Sequence, residues 1–185
     1  MLETVTREWG GDSDLWVFAY ASLIWRPEFD HVEERFASIR GYHRALKMWS
    51  RVNRGTPDCP GLVFGLLPGG SCRGVVYRIP QAQVAATLPL LWAREMPNGV
   101  YDPKWLRCRT TQGDVRALAF TLSPRSPSHT GVLSEDRYRQ IFSDACGRFG
   151  STRDYAQLTY DKLRSLGIHD KALGKLLALT ARQGA

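Results

Sequence analysis

The chain has 185 residues, 43% hydrophobic and 23% charged, enough to bury about 70% of its unfolded surface as one domain, which excludes wholesale disorder. Its net charge of +7, from 25 basic and 18 acidic side chains scattered without a dense run, favours small anionic partners over nucleic acid. No apolar run approaches the ~20 residues of a membrane span, residues 1–14 lack the apolar core of a secretory leader, and the four cysteines (Cys59, Cys72, Cys108, Cys146) are too dispersed for a metal site, so a soluble cytoplasmic chain with reduced thiols is expected.

The first strong element is Leu15-Trp16-Val17-Phe18-Ala19-Tyr20, short and aromatic-rich like a buried strand. It stops at Ala21-Ser22, and Pro27 stands against an easy continuation. Apolar residues at Phe36, Ile39, Tyr42, Leu46 and Met48 read as one or two strands around Gly41. Residues 54–61 contain two prolines and two glycines and read as a loop. Residues 62–67 and 72–79 flank Pro68-Gly69-Gly70-Ser71, a hairpin signature. After Pro80 the period changes, and Val84, Leu88, Leu91 and Trp92 share one face of a helix. A second hairpin is expected from residues 105–111 and 115–122, turning at Gln112-Gly113-Asp114. Tyr138, Ile141, Phe142, Ala145 and Phe149 make another helical face, with Ser134, Glu135 and Asp136 suited to its N-terminus. Thr152 is the expected cap of a third helix ending before Gly167. Asp170 is the expected cap of a fourth, which turns Leu173, Leu176, Leu177 and Thr180 inward. Strands come first and helices last, so the fold class is α+β rather than a doubly wound parallel sheet.

Two segments could carry chemistry. At Tyr20-Ala21-Ser22-Leu23 a strand breaks abruptly into small residues, which exposes several backbone N–H groups together. Such groups can hold a carboxylate or a developing oxyanion, although an ordinary strand exit would look the same. Glu95 follows the apolar face of the helix after Pro80 and precedes the break Pro97-Asn98-Gly99. A carboxylate at a helix C-terminus is disfavoured by the macrodipole, and desolvation beside Trp92, Met96 and Tyr101 would raise its pKa further. That suits a proton shuttle; a salt bridge to Arg94 or another arginine is the plainer alternative. His31, His43, His129 and His169 lack spaced partners for a metal. Ser22 has no Gly-x-Ser-x-Gly elbow, and no phosphate loop or nucleotide signature is present.

Taken in order, several pieces resemble the ChaC-like γ-glutamylcyclotransferases, from about Trp16 to Leu177. They are residues 17–25 (Val17-Phe18-Ala19-Tyr20-Ala21-Ser22-Leu23-Ile24-Trp25), Gly41-Tyr42-His43-Arg44, Arg54-Gly55-Thr56-Pro57 and Gly74-Val75-Val76-Tyr77-Arg78. Arg94-Glu95-Met96 with Gly99-Val100-Tyr101, and Tyr155 followed by Leu166-Gly167-Ile168-His169-Asp170, complete the set. The resemblance implies a small mixed β-barrel flanked by helices, one cyclotransferase domain over residues 1–185 with its core at about 15–180, and no metal or organic cofactor. It implies glutathione as substrate, with 5-oxoproline and cysteinylglycine as products. It also implies Glu95 as the catalytic residue and a substrate-binding segment of Val17, Phe18, Ala19, Tyr20, Ala21, Ser22 and Leu23. The family pattern usually reads Tyr-Gly-Ser-Leu in that loop, and here the glycine is replaced by Ala21.

In the reaction so implied, the substrate's own α-amine attacks its γ-carbonyl carbon and closes a lactam. The nucleophile is tethered, so the protein need supply only orientation, oxyanion or carboxylate contacts and a proton carrier. Arg44, Arg54 and Tyr101 are further expected substrate contacts. The alternatives are a cyclotransferase for other γ-glutamyl amino acids or amines, and a non-catalytic anion-binding module.

Overall fold

The computed structural model describes residues 1–181. Two long strands, β2 (Glu33–Ser50) and β3 (Gly61–Ile79), contribute to both of the compact units into which the chain divides. The first unit comprises Met1–His43 and Leu66–Ser123; the second comprises Arg44–Gly65 and the chain from Pro124 onward.

In the first unit, α1 (Leu2–Trp9) precedes β1 (Leu15–Ala19), a single short turn of helix α2 (Ser22–Trp25), α3 (Gln81–Glu95), β4 (Asp102–Thr110) and β5 (Gly113–Thr121). Five strands close into a barrel in the order β1-β3-β2-β4-β5. β1 runs antiparallel to β3, from Leu15↔Ile79 to Ala19↔Val75, and parallel to β5, with Trp16↔Ala117 and Val17↔Leu118. Paired on both edges, β1 is a central strand and reads as a nearly continuous apolar run, with Leu15, Val17, Phe18 and Ala19 fully buried. The mixed barrel with helices is therefore an α+β fold of the expected class.

Helix α3 starts where Pro80, in an extended conformation, hands over to Gln81. The backbone N–H of Gln81 donates to Asp14 Oδ1 at 2.9 Å, so a carboxylate from the segment before β1 satisfies one of the helix's orphan donors. Val84, Leu88 and Leu91 are buried, as their spacing predicts. Pro89 removes one helical hydrogen bond without ending the helix, because it lies on the exposed face. The helix stops at Glu95, where Pro97, Asn98 and Gly99 (φ 61°) turn the chain away.

The structure departs from the sequence reading at several points. β3 is continuous, so no hairpin forms at Pro68-Gly69-Gly70-Ser71. Gly69 and Gly70 take φ of 94° and 72° and bend the strand instead of reversing it. His43 Nδ1, on β2, lies 2.9 Å from the Gly69 carbonyl oxygen, and pairing with β2 keeps the bent segment in the sheet. β2, expected as one or two strands, is one, bent at Gly41 (φ 85°). The second hairpin turns at Thr111-Gln112, one position earlier than expected, because Thr110 pairs with Gly113. α1 carried no expectation at all.

The second unit holds α4 (Glu135–Asp144), the two-residue strands β6 (Cys146–Gly147) and β7 (Gly150–Ser151), α5 (Thr152–Ser165) and α6 (Lys171–Leu179). Ser134 caps α4 by accepting from the Arg137 N–H, and Asp170 caps α6 by accepting from the Leu173 N–H. α4 ends before Phe149, which is half exposed, because residues 146–151 pair as a miniature hairpin. Ser151, not Thr152, caps α5. The Thr152 hydroxyl instead accepts from the Leu62 N–H at 2.8 Å, tying α5 to the start of β3. That junction leaves no room for a side chain at Gly61, whose Cβ would meet the Arg54 carbonyl oxygen at 2.0 Å. α5 packs against both α4 and α6.

Among the described residues no helix is long and apolar enough to cross a membrane.

Candidate active site

Glu95 is the last residue of α3, where the helix carbonyls give a carboxylate no help. Its side chain retains only 14% of its exposure. Burial pushes the Glu95 carboxyl above the usual carboxylate range; the charge and hydrogen bond of Arg94 pull it back, and the Glu28 carboxylate adds to the upward push. The salt bridge to Arg94 is therefore present, and the carboxyl is shifted upward all the same. Arg94 Nε lies 3.1 Å from Glu95 Oε1, yet desolvation outweighs that attraction.

The further partners of Arg94, Glu28 and the Pro27 carbonyl, were not foreseen in the sequence. Its NH1 donates to Glu28 Oε2 at 2.8 Å and to the Pro27 carbonyl at 3.0 Å. The Glu28 carboxylate is shared with Arg26. The adjacency of Arg94 and Glu95 signalled an ion pair, whereas Glu28 lies 66 positions away and left no local trace.

The turn after β1 is built from buried residues. Tyr20, Ala21 and Leu23 are each about 5–6% exposed, and Ser22 is the member with more accessible surface. Ala21 is the N-cap of α2 and provides no side-chain cap, so the first-turn amides of Ser22 and Leu23 are not capped by it. Its φ is −143°, outside the left-handed region, and alanine in place of glycine meets no left-handed penalty there. Two phenols fix the turn. Tyr20 Oη donates to the Phe120 carbonyl at 3.0 Å, and Tyr77 Oη donates to the Ile24 carbonyl at 3.3 Å. Val17, Phe18 and Ala19 are fully buried in the barrel, so their side chains present no surface and serve to aim the turn.

Phe120 on β5 connects these parts. Its carbonyl receives Tyr20, and its ring stands 6.2 Å from Trp92, one turn before Glu95, and 6.5 Å from Tyr101. Thus Tyr20, the last turn of α3 and the buried Tyr101 share one neighbour. Sequence reasoning missed Phe120, because an aromatic inside a hairpin strand looks like ordinary core.

Arg44 and Arg54 belong to the second unit and are engaged within it. Arg44 Nε and NH2 both reach Asp170 Oδ2, at 3.0 and 2.8 Å. Arg54 is buried, donates to the Phe149 carbonyl and stacks over Tyr155 at 4.9 Å. The cysteines are all free thiols, and burial pushes the Cys108 thiol up to about 12, which leaves it inert near neutral pH. No cluster of metal-ligating side chains occurs among the described residues.

A closed mixed barrel with a carboxyl at a helix end that burial pushes above the usual carboxylate range has the makings of a general acid–base centre. The sequence matches the ChaC-like protein family over residues 15–183, and the chain belongs to that family. It is 32% identical to the glutathione-specific γ-glutamylcyclotransferase of Escherichia coli (strain K12), over 90% of this chain and 72% of that one. It is 33% identical to glutathione-specific γ-glutamylcyclotransferase 1 of Homo sapiens, over 87% of this chain and 75% of that one. The fold is similar to a crystal structure of the γ-glutamyl cyclotransferase specific to glutathione from yeast, with a TM-score of 0.82 at 21% identity, covering 91% and 96% of the two chains.

Proposed function

We propose that this chain is a glutathione-specific γ-glutamylcyclotransferase that releases 5-oxoproline and cysteinylglycine, with Glu95 as its general acid and base. The observation that carries the reading is the Glu95 carboxyl itself, buried at the end of α3 and shifted toward the protonated form on the scaffold of this family. The names of the Escherichia coli and human relatives supply the substrate.

The reaction needs little else. The α-amine of the γ-glutamyl group attacks the γ-carbonyl carbon, the C–N bond to cysteine breaks, and a five-membered lactam closes. Ring closure is intramolecular, so no enzyme nucleophile is required. Glu95 takes a proton from the attacking amine and delivers one to the departing nitrogen, a role typically worth 10²–10⁴-fold. The amides of Ser22 and Leu23 hold the oxyanion or the α-carboxylate, Tyr101 lines the substrate, and Val17, Phe18, Ala19, Tyr20 and Ala21 set the turn. Arg44 and Arg54 are cationic candidates for a substrate carboxylate; Arg44 would have to share Asp170 to serve. Small-molecule chemistry needs neither nucleic acid nor membrane, and the free thiols suit a cytoplasmic address.

The test is 5-oxoproline release by the purified protein from glutathione, from γ-glutamyl dipeptides and from γ-glutamylamines. Turnover of glutathione alone is expected. Equal turnover of the panel would replace the specific reading with a general cyclotransferase, and none at all would leave an anion-binding module.

A further inference from the structure

The catalytic reading uses Glu95 but leaves the charges behind it without a task. We propose that Glu28 and Arg94 form a two-charge positioning device for Glu95, in which Glu28 holds the Arg94 guanidinium and Arg94 holds the Glu95 carboxylate. The inference rests on Glu95 being the proton carrier, and it adds residues for which that reading has no role.

The geometry is a chain of contacts. Arg94 Nε meets Glu95 Oε1 at 3.1 Å, while its NH1 is fixed from the other side by Glu28 Oε2 at 2.8 Å and the Pro27 carbonyl at 3.0 Å. With NH1 engaged by Glu28 and the Pro27 carbonyl, Arg94 meets Glu95 through Nε. Glu28 is also the one non-glycine residue with positive φ among the described residues, at 56°. A left-handed glutamate is disfavoured, and such conformations persist where the surroundings over-determine them. Here the surroundings are Arg26 and Arg94, one on each oxygen of its carboxylate.

The two charges oppose each other. The groups that act electrostatically on Glu95 are Arg94, on its own helix, and Glu28, on the segment after α2, with Arg26 standing behind Glu28. Arg94 alone would favour the ionised carboxylate and make a poor acid. Glu28 divides that positive charge and repels Glu95, so the carboxyl can both take and give a proton. Glu28 is 42% exposed, and water screens its share, so its effect is the smaller of the two.

The experiment uses the intact enzyme with glutathione. The pH dependence of kcat/KM is measured for Arg94→Gln, Arg94→Lys and Glu28→Gln. In parallel the Glu95 carboxyl is titrated by NMR on glutamate-labelled protein, with its signal assigned by its loss in Glu95→Gln. Arg94→Gln is expected to move both the acid limb and the titration upward by about one pH unit, a rate loss of about tenfold on that limb. Arg94→Lys keeps the charge and should return most of the shift. Glu28→Gln should move both curves the other way, by a few tenths of a unit. If Arg94→Gln does not fold, the lysine and Glu28 variants carry the test. Curves that superimpose on the parent's, or that shift in the same direction for both charges, overturn the inference whatever happens to the rate. Opposite shifts in the titration, combined with near-parental turnover by Glu95→Gln, would keep the device and remove the catalytic reading instead.

Discussion

Two carboxylate–arginine pairs in this protein use the same chemistry to opposite ends. Asp170 is fully engaged: Arg44 places two nitrogens on Oδ2, and Oδ1 accepts the Leu173 N–H as the cap of α6. Glu95 takes a single Arg94 nitrogen at 3.1 Å, at the wrong end of a helix, and burial still drives it toward its protonated form. Asp170 has donors on both of its oxygens, whereas the burial of Glu95 is offset by Arg94 only in part. What separates them is how far the donors around the oxygen atoms offset burial, which at Glu95 outweighs Arg94.

The largest expected effect breaks the satisfied pair. The Arg44 side chain is 4% exposed and that of Asp170 15%, so Arg44→Ala should cost about 3–5 kcal/mol of stability, read as the free energy of urea unfolding. Unchanged stability with a raised KM for glutathione would instead make Arg44 a substrate contact.

Next comes the unsatisfied side. Glu95→Gln keeps size and hydrogen bonding but carries no proton, and kcat should fall on the order of 10²-fold or more, with a normal thermal melt. Turnover above about a tenth of the parent rate in a folded variant would place proton transfer elsewhere.

The same substitution sharpens the comparison through pH. The folded-state pKa of Glu95 is raised, so the native protein binds a proton that the unfolded chain has released. That contribution is fully present below the ordinary glutamate range and is lost as pH rises through the folded value. Glu95→Gln should therefore gain stability relative to the parent as pH increases across that window. Parallel stability curves would mean that Glu95 is no burden on the fold.

The smallest effect concerns the turn. With φ of −143° at Ala21, Ala21→Gly gains no left-handed freedom it needs and should lose about 0.5–1 kcal/mol in thermal unfolding, with activity retained. A rise in stability would show that the entropy cost of glycine is not the deciding effect at this turn.

Much of this was legible wherever local signals decide. β1, the apolar face of α3, the Ser134 and Asp170 caps and the break after Glu95 all follow from neighbours a few positions apart. Pro68-Gly69-Gly70-Ser71 misled because turn residues can also bend a strand, and pairing with β2 decides which. Thr152 resembled a cap but was recruited by Leu62, 90 positions away. Around Glu95, the pairing with Arg94 was readable, whereas the contacts of Glu28 and Phe120 arise only on closure of the fold.

The parallel pairing of β1 with β5 also has a consequence for biosynthesis. Val17 pairs with Tyr77 on one side and Leu118 on the other, so a chain emerging from the ribosome exposes its first strand long before both partners exist. At typical elongation rates the interval between Val17 and Leu118 is roughly 5–20 s. Throughout it an apolar segment with an open edge faces other nascent chains. The barrel can close only late in translation, and the first strand is the segment a holding chaperone would have most reason to cover.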